Sequence, residues 1–376
     1  MLSAGFLLII LLTSPADASE ASLPPLLKRS EQFTTRDRNQ TPDLSAAVPV
    51  YLESGQNTEI RREGIYLLKG DYRNTTVIID ADNRTHKIQL ILDSLVISNR
   101  NAPAIYVKSA DKVFLTTINS RNSLTVEEPF LPDGTTNTDA VIFSRSDLTL
   151  NGKGTLQIRS VGGNGISSKD DLKITSGTYV INAESDGLEA NDSIRIAGGE
   201  LTINAGADAL HSENEEDHSL GYIYIYDGEL NLKAGDDAIR ANSFIQIDGG
   251  RISISDSYKG LEATRIRING GTLAIYSSDD GINVTAKTPG TVILEIYGGD
   301  ISVEVGSGDT DAFDANGDFS LLGGTIRITS PRSAFDVDGR VRYTGGRVII
   351  NGKTVDALPI TSRGPGSLRY VEKSGG

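Results

Sequence analysis

The chain has 376 residues, a formal charge of −14 and no cysteine. Disulfides, thiolate metal sites and a cysteine nucleophile are therefore excluded, and nucleic acid is disfavoured because binding a polyanion needs a basic patch or a bridging cation. Forty glycines against 12 prolines, with 38% hydrophobic residues, exclude both collagen and a disordered tail and leave room for a strand-rich core.

The N-terminus reads MLSAGFLLIILLTSPADASEAS. The apolar run Phe6 to Leu12 followed by Ala16-Asp17-Ala18 has the pattern of a secretory signal cut after Ala18, and the run is too short to span a bilayer. Residues 1–18 are thus expected to be a signal peptide. The mature chain would then be secreted, periplasmic or at the cell surface, with no membrane insertion. Residues 19–45 are polar and read as a linker. Residues 46–130 are strand-rich, with IYLLKG, TVIID, KIQLILDSLVIS, AIYVKS and KVFLTT, and are expected to form irregular first coils and a cap for a solenoid end.

From there on, glycine turns recur at Gly177, Gly199, Gly228, Gly250, Gly271, Gly299, Gly324 and Gly346, at intervals of 22, 29, 22, 21, 28, 25 and 22 residues. A base period of 22 with insertions is the mark of a solenoid. Apolar-x-apolar triplets flank each turn, as in IRI at Ile194 and LTI at Leu201, and alternation with period two makes half-buried strands. A third element opens each unit: Asp, a small residue, then an apolar one. Three short strands per 22-residue coil, with glycine where φ must be positive, predict an all-β fold, a right-handed single-stranded parallel β-helix. It is expected to span residues 46–351, with 352–376 as C-terminal cap and tail and a monomer as the assembly.

Aligned coil by coil, the lead position of the opening element holds Asn164, Asp186, Asp208, Asp237, Lys259, Asp280, Asp311 and Ser333. Three residues on stand Ser167, Glu189, His211, Arg240, Glu262, Asn283, Asp314 and Asp336, and Asp236, Asp279 and Asp309 add charge on the same side. Equivalent residues of stacked coils lie about 4.8 Å apart. Two carboxylates at that spacing repel by roughly 3–4 kcal/mol at an effective dielectric near 20. A proton, an intervening cation such as Lys259, or a bridging Ca²⁺ could offset this, since Ca–O distances of about 2.3–2.6 Å let one ion span two carboxylates. Calcium is the expected cofactor, with Asp186, Glu189, Asp208, Asp236, Asp237, Asp279, Asp280, Asp311 and Asp314 as candidate ligands. Turn capping by aspartate side chains is the structural alternative.

The segments DGLEANDSIRIAGGELTINAG, AGDDAIRANSFIQIDGG, SDSYKGLEATRIRINGGTLAIYSSDDGIN and LTLNGKGTLQI…NGISSKDDLKI resemble those of bacterial extracellular carbohydrate-binding proteins. These are built as calcium-binding right-handed parallel β-helices of pectate-lyase-like architecture. The resemblance covers roughly residues 46–351. It implies Ca²⁺ held by aspartates on the solenoid surface and binding of plant-type polysaccharides, including acidic ones. The family more often has an acid where Lys259 stands.

Calcium can bridge protein and uronate carboxylates, and Arg195, Arg240, Arg265 and Arg267 could add direct contacts or balance charge. In YIYIYDG, Ile223 and Ile225 take inward positions, so Tyr222, Tyr224 and Tyr226 should face out, available to stack on a sugar or to pad neighbouring strands. The inserts HSENEEDHSLG and AKTPGT share one edge, where binding faces are often built. Two other functions compete with carbohydrate binding. A calcium-dependent lyase would use Lys259 as the base, although an ion pair is the plainer role for that lysine. A structural adhesin would use the aspartates architecturally.

Overall fold

In strand Glu200–Ala205, Leu201, Ile203 and Ala205 are buried while Glu200, Thr202 and Asn204 are exposed, because successive side chains of a strand point to opposite faces. Leu188–Ala190, Ser193–Ile196 and Glu200–Ala205 together make one coil. Each strand pairs in parallel with its equivalent in the next coil. The first face runs through Ser193–Ile196, Tyr222–Ile225, Phe244–Ile247, Arg265–Ile268 and Ile293–Ile296. The second runs through Glu200–Ala205, Glu229–Lys233 and Arg251–Asp256. The third carries the short strands Leu188–Ala190, Leu210–Ser212, Ile239–Ala241, Leu261–Ala263, Ile282–Val284 and Asp311–Ala315.

This computed structural model describes residues 26–39, 41–308, 310–362 and 368–374; the expected signal peptide and Asp309 lie outside them. The chain is an all-β parallel solenoid of about 12 turns, with coils of about 24 residues rather than 22. The extra length comes from the inserts: Leu210 pairs with Ile239, and Ile282 with Phe313. All eight recurring turn glycines have positive φ. At Gly250, with φ 84°, a Cβ would also stand 2.8 Å from the Gly228 carbonyl oxygen, so the turns stack too closely for any side chain.

Isoleucine, leucine and valine from all three faces fill one continuous core from Leu52 to Ile360. The same ladders already run through residues 58–126, where Gly64–Arg73 pairs with Lys87–Asn99 and the latter with Lys112–Thr117 and Arg121–Val126. At the C-terminal end the parallel ladders stop on antiparallel partners. Lys353–Val355 folds back on Val341–Ile350, and Arg369–Glu372 on Ala357–Thr361.

The polar stretch read as a linker behaves differently where it is described. Residues 27–37 lie along the outside of the first face as a strap, with one four-residue helix, Arg29–Gln32. Gln246 receives the Leu27 N–H at 3.0 Å and donates to its carbonyl at 2.9 Å. Phe33 packs on Tyr224 with ring centroids 6.2 Å apart. The buried Asp37 carboxylate lies 2.6 Å from the Lys112 ammonium and accepts from Thr149, while Asn151 and Thr175 donate to its carbonyl.

Candidate functional site

The third face puts the two expected columns in register. Glu189 stands opposite Ser167 and His211, Arg240 opposite His211 and Glu262, and Asn283 opposite Glu262 and Asp314. In the lead column the side chains of Asn164, Asp186, Asp208, Asp237 and Asp280 each hold the next coil. The backbone N–H of Asp186 donates to Asn164 Oδ1 at 2.9 Å, that of Asp208 to Asp186 at 2.9 Å, and that of Asp237 to Asp208 at 2.8 Å. The same bond joins Lys259 to Asp237 at 3.2 Å and Asp311 to Asp280 at 3.0 Å. Half of each carboxylate is thus spent on architecture, a coil-to-coil version of capping. The second oxygen is left for other partners.

Burial removes these carboxylates from water. Asp208 and Asp237 are almost fully buried. Burial, with help from Asp186, pushes the Asp208 carboxyl up to about 6. Asp237 is pushed up to about 8, by burial first and then by Glu262 and Asp208. Asp280 rises to about 6 for the same leading reason, with Asp279 and Asp311 adding to it. A desolvated carboxylate among like charges disfavours its ionised form, and a bound cation would reverse that.

The acids are not equally free to meet one. Glu189 accepts from Asn164, Ser167 and Lys169. His211 sits between Asp186 at 3.0 Å and Glu213 at 3.1 Å. Burial disfavours its cation, but the bond to Asp186 and the charges of Asp186 and Asp208 prevail and raise its pKa. The Asp186–Asp208–His211 cluster therefore includes a ring nitrogen already engaged by Asp186. The other three-donor cluster among the described residues, Asp208–Asp236–Asp237, offers carboxylate oxygens within 4.8 Å of one another and no histidine; the Arg240 guanidinium approaches Asp208 at 3.6 Å. An all-oxygen set fits a hard cation. Among the described residues, Asp279, Asp280, Asp311 and Asp314 form no such cluster.

Lys259 does not stand between the aspartates. Its ammonium turns to Glu262 in the neighbouring column at 2.8 Å, and Glu262 also holds Lys287. Although burial opposes it, that pairing raises the lysine's pKa, the opposite of what a general base needs.

The sugar-facing candidates are placed differently from expectation. Tyr222, Tyr224 and Tyr226 do point away from the core, but the strap buries Tyr224 and packs against the other two, and Tyr222 also lines a pocket. Tyr224 has no exposed surface and donates to Asp248 at 2.6 Å. Tyr222 donates to Gln32, and Arg29 lies over the Tyr226 ring. Arg267 is paired with Glu295 at 2.6 Å. With Arg240 held near Asp208 and Glu213, both arginines of this group serve charge balance. The inserts do converge on one edge. The first borders a polar cleft of about 460 Å³ containing Glu189, Asp192, His211 and Glu213, and both border a second pocket of about 350 Å³.

A family model described as "Carbohydrate-binding domain-containing protein" matches residues 54–312, more than half of the chain. The chain belongs to that family. A relative of the same description from Acetivibrio thermocellus is 32% identical over 133 residues, which is 35% of this chain and 46% of the relative. The chain thus spans about half the length of that relative. A solved structure of a polysaccharide lyase-like protein from C. thermocellum, a gadolinium derivative, aligns over 82% of this chain and 97% of its own at 23% identity and a TM-score of 0.44. At that score the likeness says nothing of ligand or activity.

Proposed function

We propose that this carbohydrate-binding domain protein is an exported, monomeric, calcium-dependent binder of acidic polysaccharide, uronate-containing or plant cell-wall glycans above all. The observation that carries the reading is the Asp208–Asp236–Asp237 cluster, whose carboxylates converge within 4.8 Å at the corner that leads into the third-face strands. Calcium, when bound, would bridge these carboxylates to those of the glycan. Asp208 and Asp237 would hold the ion from the coil wall while Asp236, exposed beside them, would orient it towards solvent and the ligand. The first oxygens of Asp208 and Asp237 remain committed to the backbone, so the site is pre-organised by the fold. Export is supported by the N-terminal sequence pattern alone.

The test is retention on immobilised polygalacturonate at neutral pH with about 1 mM calcium or with chelator, alongside a glycan array under both conditions. Retention that is markedly weaker in chelator and is restored by calcium supports the proposal. Equal retention in both, or none in either, removes it.

A further inference from the structure

The second pocket contains a cation that the rest of the molecule does not explain. The chain is strongly acidic, and its half-buried or buried cations are paired in turn. Lys112 is paired with Asp37, Arg195 with Asp171, Arg267 with Glu295 and Lys259 with Glu262. Arg265 is half-buried and, among the described residues, no carboxylate comes within ion-pair distance of it. Its one protein bond runs from Nε to the Thr291 carbonyl at 2.8 Å. That bond fixes the plane of the guanidinium and leaves both terminal nitrogens as donors. Burial lowers its pKa, and Glu295, whose charge acts against that, is already held by Arg267. Taking an arginine partly out of water without an anion costs free energy, and an end-on, two-pronged carboxylate would recover it.

What surrounds Arg265 narrows the anion. Tyr222, Phe244 and Arg265 occupy equivalent positions in three successive coils of the first face, so two aromatic rings and a guanidinium stand in one row about 4.8 Å apart. Inserted loops wall the row on either side, with His218 and Ser219 from the first and Thr288 and Pro289 from the second. The Ser243 hydroxyl donates to the Gly221 carbonyl and the Thr288 hydroxyl to Thr264. Their lone pairs are left to accept hydroxyl protons from a ligand. The volume, about 350 Å³, lies at the small end of ligand sites and suits one or two sugar rings. An apolar ring face, hydroxyl donors and a carboxylate at one end describe a sugar acid.

We propose that the pocket between the two inserted loops is a calcium-independent subsite for a uronate unit of an acidic glycan, in which Arg265 takes the carboxylate end-on and Tyr222 and Phe244 face the pyranose ring. The subsite rests on the polysaccharide-binding reading but not on its metal. It distinguishes an acidic from a neutral sugar because a neutral ligand would leave the guanidinium without its anion.

The experiment titrates the full chain with trigalacturonate and, separately, with a neutral galactose trisaccharide by calorimetry, in chelator throughout. Trigalacturonate should bind and the neutral sugar should not. Arg265→Gln should weaken trigalacturonate at least tenfold, while Arg265→Lys, which keeps the charge but loses the fork, should fall between. A circular dichroism spectrum and Tm equal to the parent's show that Arg265→Gln is folded; if it is not, the loss is read from the Arg265→Lys chain instead. No binding of trigalacturonate in chelator overturns the subsite, as does equal affinity in the parent and both Arg265 variants. If calcium-dependent retention on polygalacturonate persists in that case, the subsite alone has failed. If it is absent too, the polysaccharide reading has failed with it.

Discussion

Asp237 shows what a stacked carboxylate does to a coil. Its first oxygen accepts the Lys259 N–H at 3.2 Å, which ties two coils together. Its charge lies buried near Asp208 and Glu262, which is why its carboxyl is pushed up to about 8. Asparagine at this position keeps an acceptor for the Lys259 amide and removes the charge. Asp237→Asn should therefore raise Tm in chelator, by about 1–3 °C if it relieves on the order of 1 kcal/mol. It should also abolish the rise in Tm that calcium is expected to give the parent. Differential scanning calorimetry with and without calcium reads both effects. A variant that still gains as much from calcium as the parent would place the ion elsewhere. Lys259 makes the contrasting case, since its ammonium serves Glu262 and not the aspartate column. Lys259→Met should cost stability by leaving Glu262 with Lys287 as its one cation, and should not reduce retention on polygalacturonate.

The strap, residues 27–37, is the element whose role composition hid. It has no apolar period, and the residues it touches lie far along the chain: Gln246 for Leu27, Lys112 and Thr149 for Asp37. Burial opposes ionisation of Asp37, but the Lys112 ammonium and the Thr34 amide and hydroxyl outweigh it and hold the carboxyl at about 2. A carboxylate with a depressed folded value contributes stability above its unfolded value, near 4, and loses it as pH falls towards 2. The strap should accordingly stay docked at neutral pH and release between about pH 4 and pH 2. The chain has no tryptophan, so Phe33→Trp places a single tryptophan against Tyr224, excited selectively at the red edge of the absorption band. Its emission should be blue-shifted at pH 7 and move to the red across that window. Adding Asp37→Ala leaves Lys112 buried without its closest partner, a loss of roughly 3–5 kcal/mol, and should bring the red emission to pH 7. Emission unchanged in the double variant would show that Phe33 packing alone holds the strap.

At the scale of the molecule, the repeat made most of the architecture legible. Each coil must place a glycine where only glycine fits and an aliphatic pair on either side of it, so the three faces and the carboxylate register could be read from spacing alone. What repeats is fixed locally, which is why Asp186, Asp208 and Asp237 could be aligned without coordinates. What occurs once was not legible. The Arg265 pocket needs two inserts of unlike sequence to meet over the first face, and the ion pairs that claim Lys259 and Arg267 depend on side-chain direction, not on register. The ends of the solenoid are also unique, and they govern its assembly. A parallel ladder leaves open backbone donors and acceptors at its last coil, a template for pairing with another chain. Here Val341–Ile350 is closed by Lys353–Val355, and Ala357–Thr361 by Arg369–Glu372. These hairpins also cover Phe335 and Val348, both fully buried. A chain ending after residue 351 would uncover the apolar ring stack of Phe313, Phe319 and Phe335 together with two strand edges. It should form concentration-dependent oligomers by light scattering coupled to size exclusion, while the full chain stays monomeric. If the shortened chain remained a monomer with the parent's Tm, the last parallel coil would be self-sufficient, and the C-terminal hairpins would have to be assigned a role other than capping.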